Sequence, residues 1–356
     1  MRTNADAGGR VRHLLAHRLF WPVVTLVVLL AVNASFNSSI WHLQWRDGHL
    51  YGSLVDIVNR AAPLALIAMG MTLVIATRGI DISVGAVVAI SAAIAAQMIG
   101  GQLVVDNGVQ TYVSRVPMPL ALITALGVAA LCGLWNGLLV ARVGMQPIIA
   151  TLILMVAGRG VAQLITEGQI ITIYYAPYFF LGNGYLLGVP FSLWIAAVVY
   201  LALHFALNRT ALGLFIQSIG INPAAARLAG VRERPITVCV YMFCALMAGA
   251  AGLLISSNVK SADGNNAGLL MELDAILAVT LGGTLLTGGR FSLAGSVLGA
   301  LIIQTLTYTI YSIGVPPEVN LVVKAAVVFV VMLLQSAEFR RALRQWVVRR
   351  PLATRT

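Results

Sequence analysis

The chain has 356 residues, of which 59% are apolar and only 10% charged, and its mean hydropathy is +0.90. A soluble domain carries roughly 25% charged residues, so a water-soluble globular protein is excluded. The formal net charge of +11 comes from Arg in all but Lys260 and Lys324, and these basic residues collect between apolar runs, as a topology signal does and a nucleic-acid surface does not.

The first 18 residues, MRTNADAGGRVRHLLAHR, form a basic N-terminus. The run that follows is long and ends in Asn, Ser and Trp without a small-residue cleavage pattern, so it is expected to be retained as a first span and not removed as a signal peptide. In chain order the predicted spans are 19–36, 61–77, 82–100, 118–140, 147–165, 189–207, 236–257, 274–288, 291–310 and 320–336. Their lengths suit helices crossing about 30 Å of hydrocarbon and lack the ten-residue alternation of a membrane barrel. The expectation is an all-α integral membrane protein with about ten transmembrane helices. Residues 19–336 would form a single transmembrane domain, and 337–356 a basic tail. The fifth and eighth spans are short or Gly-interrupted, and either is a candidate broken or re-entrant segment.

With the N-terminus inside, 17 Lys and Arg residues fall on inner segments, 4 on outer ones and 2, Arg159 and Lys324, within spans, accounting for all 23. The bias places both termini in the cytoplasm. GIDISVG at 79–85 and GRFSLAG at 289–295 share glycines six apart, and each opens a span. This echo fits a duplicated five-helix unit.

Charges at Arg78 and Asp81, between two apolar runs, would be costly in hydrocarbon. Their reading is a capped turn at the inner face. Gly79 supplies the sharp bend, and Asp81 caps exposed N–H groups at the start of the next helix with help from Ser83. Gly289 and Gly295, with Arg290 and Ser292, would repeat that turn.

The longest inner segment, about 208–235, contains Asn222-Pro223, a short Ala-rich run through Ala225, Ala226 and Arg227, and Gly230. Asn at the N-cap, Pro at the first position and Gly at the stop define a helix of about two turns. Too short to cross a bilayer, it serves either as an interfacial linker or as a docking surface. Polar side chains inside or beside spans could line a path for a polar solute or bond helix to helix. They are Trp135, Asn136, Gln146, Thr151, Arg159, Gln163, Thr166, Asn265, Asn266, Glu272, Asp274 and Thr284. Arg159, between Gly158 and Gly160, requires a cavity or a partner. Lys324 is placed to snorkel, and Glu272 and Asp274 to cap a helix start.

No G-x-x-x-x-G-K-[ST] phosphate loop is present; GGTLLTGG has the glycines without the lysine. The five histidines are scattered, and Cys132, Cys239 and Cys244 have neither paired nor metal-ligand spacing. No catalytic residue and no metal site is expected.

GINPAAARLAGV resembles the cytoplasmic coupling loop of permease subunits of bacterial ribose-type ABC sugar importers, the branched-chain permease-like family. ATRGIDISVGAVVAIS and LGGTLLTGGRFSLAGSVLGALII resemble that family's segments after the second span and late in the chain. DGHLYGSLVDIVNRAAPLALIAMGMTLVIA, PIIATLILMVAGRGVAQLITEGQIIT and DGNNAGLLMELDAILAV look like the branch that imports galactofuranose. The resemblance implies a non-enzymatic inner-membrane subunit with a cytoplasmic ABC ATPase that holds ATP and Mg, a periplasmic sugar-binding protein and a second permease, identical or homologous. It implies no cofactor on this chain and no nucleic-acid partner. Residues 222–230 become the lever through which the ATPase acts. Ribose, branched-chain amino acids or nucleosides are the alternative cargo, and a carrier working alone is the alternative mode, which would need no docking helix.

Overall fold

A computed structural model describes residues 19–335 apart from 37, 47, 107, 108 and 315, together with residue 339. The expected N-terminal segment 1–18 lies outside the described residues, as does the basic tail apart from residue 339. The helices are α1 Phe20–Phe36, α2 Ser53–Ala76, α3 Val84–Ile99, α4 Met118–Leu138, α5 Pro147–Ile165, α6 Phe180–Asn183, α7 Phe191–Arg209, α8 Leu212–Ile221, α9 Pro223–Leu228, α10 Glu233–Val259, α11 Met271–Leu281, α12 Leu293–Ser312 and α13 Pro317–Gln335. A π turn, Leu139–Val143, extends α4. Six helices, α2, α4 with its extension, α5, α7, α10 and α12, are long and apolar enough to cross a membrane, and α1 and α3 are shorter apolar helices.

Each predicted span falls on a helix. The fifth is unbroken: α5 runs through Gly158 and Gly160 without interruption, so the expected break there is corrected. The eighth does stop short. Helix α11 ends at Leu281 after 11 residues, and Gly282 to Phe291 continue as irregular backbone. Helix α2 starts at Ser53, eight residues before its apolar window, because Ser53–Arg60 extends the helix beyond the fully apolar stretch.

A helix that is apolar all round must be surrounded, and α2 is: Ala61 through Ala76 are all buried. Helix α3 is enclosed nearly as well. Helices α10 and α12 pack against α2, and α10 also packs on α3 and α4. These contacts are close because small residues face backbone. A Cβ at Gly133 or Gly137 would strike the backbone of Tyr241 or Val238, and one at Gly252 the carbonyl of Val88. Polar bonds pin the same helices: Asn33 Nδ2 donates to Thr309 Oγ1 at 2.8 Å and Thr72 Oγ1 to Ser296 Oγ at 2.7 Å.

One end of the bundle carries two-stranded sheets absent from the sequence reading: β1 Gln44–Arg46 with β2 His49–Tyr51, β3 Gln102–Asp106 with β4 Val109–Val113, β5 Ile170–Thr172 with β8 Ser261–Asp263, and β6 Tyr185–Leu186 with β7 Val189–Pro190. All pairs are antiparallel. The other end carries α8, α9 and the turns that precede α3 and α12.

Candidate functional site

At the α9 end, sequence signals become capping geometry. Asn222 Oδ1 accepts the N–H groups of Ala224 at 3.0 Å and Ala225 at 3.1 Å. The N–H of Gly230 returns to the carbonyl of Arg227 and that of Val231 to Ala226, with Gly230 left-handed at φ 84°. This paired closure is the glycine stop expected from the sequence. Within α9 only Ala226 is buried, so the helix docks on the bundle by that one methyl. Leu228 is 92% exposed. Arg227 Nε lies 3.2 Å from Glu233 Oε1, an ion pair across the following turn.

Arg78 ties the helix before it, α8, to the core. Its Nε donates to the carbonyl of Gly220 at 2.6 Å, and its Nη2 donates to that of Ile221. These are the last carbonyls of α8, which a helix leaves without partners. Gly220 lies so close that a Cβ there would stand 1.9 Å from the Ala76 carbonyl. The N–H of Gly289 also donates to that carbonyl, at 2.9 Å. Three segments, 76–83, 220–222 and 288–289, therefore meet directly in front of α9.

The turn at 78–83 departs from expectation. Its left-handed residue is Arg78, at φ 65°, and not Gly79. Gly79 is required for space instead, since a Cβ there would stand 2.4 Å from the Tyr241 hydroxyl. Asp81 is wholly buried and accepts the N–H and O–H of Ser83 at 3.0 and 2.6 Å, so it does not cap exposed N–H groups at the face. The echo at 289–295 places its second turn in contact with the first but does not copy it. Ser292 is extended and its Oγ accepts the Gly295 N–H at 3.1 Å, whereas Ser83 is helical and makes no capping bond. Arg290, in the place of Ile80, is exposed, and Phe291 stands where the first turn buries its Asp.

The residues put forward for a solute path separate into three sets. Asn136, Thr151 and Thr284 are buried ties. Asn136 Nδ2 donates to Ser83 Oγ at 2.9 Å, Thr151 Oγ1 donates to the carbonyl of Pro147 and accepts the Ile82 N–H, and Thr284 Oγ1 accepts the Ser292 N–H. Trp135, Gln146 and Gln163 are exposed on the outside of the chain.

Arg159, Glu272 and Asn266 converge. Arg159 Nη1 donates to the carbonyl of Ala267 at 2.6 Å and, at 3.5 Å, to that of Gly264, and its charge is felt by Glu272 and Asp263. Asp263 accepts the backbone N–H groups of Asn265 and Asn266 and the Asn266 amide, the last at 2.7 Å. Partial burial pushes the Asp263 carboxyl up, but those bonds and Arg159 outweigh it and hold the group below the usual carboxylate range. Asn265 Nδ2 donates to the Gly168 carbonyl, and Thr166 to that of Gln163. Glu272 is 7% exposed, and its Oε2 makes no hydrogen bond.

Two features were not read from the sequence. Lys324 does not snorkel; its Nζ lies 2.6 Å from Asp274 Oδ2, so α13 and α11 share an ion pair and Asp274 is not a free cap. The second is a cavity of about 210 Å³ at the hairpin end, lined by Asn59, Arg60, Ser192, Asn258 and Gln304 above Pro63 and Leu254. Its signal was available: Pro63 inside a helix leaves the carbonyl four residues earlier, that of Asn59, without its N–H donor.

Residues 53–332 match the family described as "Branched-chain amino acid transport system / permease component". The chain is 48% identical to the galactofuranose transporter permease protein YtfT of Escherichia coli (strain K12), over 90% of this chain and 92% of that protein. It is 36% identical to the fructose import permease protein FruF of Bifidobacterium longum (strain NCC 2705), over 94% and 92%. Identity to the ribose import permease protein RbsC of Escherichia coli (strain K12) is 34%, over 88% and 92%. No solved structure matches the chain.

Proposed function

The chain belongs to the branched-chain amino acid transport system permease family, and we propose that it is the membrane subunit of an ATP-driven importer carrying galactofuranose or a closely related monosaccharide into the cytoplasm. The choice of sugar follows the 48% identity to a galactofuranose permease, maintained over nine-tenths of both chains. The ribose and fructose permeases share less. Both termini lie in the cytoplasm, the side favoured by the Lys and Arg distribution, and the hairpin end faces the periplasm. There a sugar-loaded binding protein docks.

The observation that carries the proposal is the α9 arrangement: a short helix capped at both ends, its Leu228 side chain turned to solvent, and the preceding helix end clamped by Arg78. A carrier working alone has no use for such a projection. A cytoplasmic ATPase holds ATP and Mg, and its movement reaches the bundle through α9, α8 and the Arg78 turn. A second permease, identical or homologous, completes the path. The sugar meets Arg159, Glu272 and Asn266, groups that offer guanidinium, carboxylate and amide hydrogen bonds to hydroxyls.

The test is to co-purify the chain with the ATPase and binding protein encoded beside it, and to measure ATP hydrolysis with the binding protein loaded with galactofuranose, ribose, galactose or leucine. Galactofuranose gives the largest stimulation. Stimulation by leucine alone moves the cargo to amino acids, and uptake by the chain without any ATPase contradicts the importer reading.

A further inference from the structure

We propose that Asp81, Asn136 and Tyr241 form a buried site for one small monovalent cation, a proton or a sodium ion, at the start of α3. Asp81 and Asn136 are 0% exposed and so is Tyr241. Each keeps one buried oxygen without a hydrogen bond: Asp81 Oδ2, Asn136 Oδ1 and the Tyr241 hydroxyl. Ser83 joins two of them, for its O–H donates to Asp81 Oδ1 and its Oγ accepts from Asn136 Nδ2. The Asn136 amide lies beside the Asp81 carboxyl, and the Tyr241 hydroxyl lies against Gly79 and the backbone of Ile80. Three unpaired oxygens thus surround one turn.

Two of these, a carboxylate and an amide carbonyl, can only accept, so each calls for a partner that donates or carries positive charge. The described residues supply no positive charge there. From α4 the turn is faced by Asn136 and Cys132, and from α10 by Tyr241 and Cys244. From α5 comes Thr151, whose hydroxyl already donates to the carbonyl of Pro147 and accepts the Ile82 N–H. Among the described residues no Lys, Arg or His bonds to Asp81. Arg78, three residues away, directs its guanidinium outward to Gly220 and Ile221.

An ionised carboxylate in such surroundings is expensive unless it is neutralised. A proton does so directly, and sodium does so with the oxygen donors that hard cations prefer. A divalent ion calls for more anionic ligands than one carboxylate. The same turn holds the last carbonyls of α8 through Arg78, so the occupant sits three residues from the clamp on the helix that leads into α9. The site stands on this geometry and does not depend on which solute is carried.

Infrared difference spectroscopy of the full chain in lipid nanodiscs tests it, comparing wild type with Asp81→Asn at neutral pH in choline chloride and in sodium chloride. A proton occupant gives the carbonyl band of a protonated acid in both salts, absent from Asp81→Asn. A sodium occupant gives that band in choline only, and sodium raises the unfolding temperature of the wild type but not of Asp81→Asn. If Asp81→Asn fails to fold, Glu272→Gln, which removes the other deeply buried carboxyl, takes its place: the band or the sodium shift persists there. Absence of both the band and any sodium effect in the wild type overturns the proposal, as does a band that survives Asp81→Asn or is lost in Glu272→Gln.

Discussion

Arg78 and Arg159 do the same chemical work at different places in the molecule. Each sends its guanidinium across to backbone carbonyls of a separate segment, Arg78 to Gly220 and Ile221 and Arg159 to Ala267 and Gly264. Their surroundings differ. Among the described residues Arg78 hydrogen-bonds to carbonyls alone, at the end of a helix that must be held in one place. Arg159 also feels Glu272 and Asp263, so its loop is held partly by charge, which on the proposed sugar path would respond to a bound solute. One arginine makes a fixed joint, and the other an adjustable one.

The strongest way to break the comparison is Arg78→Ala. It removes both bonds from the partly exposed joint, about 2 kcal/mol at most, and frees Arg78's left-handed backbone from the contacts that hold it. Substrate-stimulated ATP hydrolysis should fall at least tenfold, while the unfolding temperature drops only slightly. Equal losses of both would make Arg78 a general stabiliser and erase the distinction. Arg159→Leu should act differently, weakening uptake at low sugar more than at saturation and leaving basal ATP hydrolysis intact. Its stability cost is about 1 to 3 kcal/mol, read by thermal unfolding in nanodiscs.

A smaller effect is expected from Asn222→Ala, which deletes the cap of α9 and costs about 1 kcal/mol of local helix stability. Stimulated hydrolysis should decline severalfold with no change in sugar binding by the partner protein. The smallest is a pH effect at the adjustable joint. Because the folded Asp263 carboxyl is held below its ordinary value of 3.8, its contribution is complete above that pH. It fades as acidification carries the solution down through the folded value. Protection of the Asn265 and Asn266 amides in hydrogen exchange should fall in that range and be constant above it.

These contrasts follow what the sequence makes legible. Helix α9 was readable because Asn222-Pro223 mark its start and Gly230 its end, through local chemistry alone. The short α11 was half readable: its apolar window ran on to 288, but Gly282 and Gly283 end the helix at Leu281. The hairpins were missed because strands of two to five residues carry too little pattern. Asp81 was misplaced for a deeper reason. Its burial depends on Asn136 and Tyr241 arriving from α4 and α10, and no spacing within 79–85 announces them. Lys324 and Asp274 illustrate the same limit, being 50 positions apart and paired only by the packing of α13 on α11.

The central claim is that α9 receives the force of a partner ATPase. Cysteine cross-linking tests it most directly. Ala225→Cys on the exposed side of α9 and Asn265→Cys at the hairpin end are introduced separately into a chain carrying Cys132→Ala, Cys239→Ala and Cys244→Ala, assembled with the co-purified ATPase. A cross-link to the ATPase from Ala225→Cys, changed in yield by ATP and absent from Asn265→Cys, is the predicted result. No cross-link from Ala225→Cys in an assembly that still hydrolyses ATP on demand, or an equal one from Asn265→Cys, would contradict it.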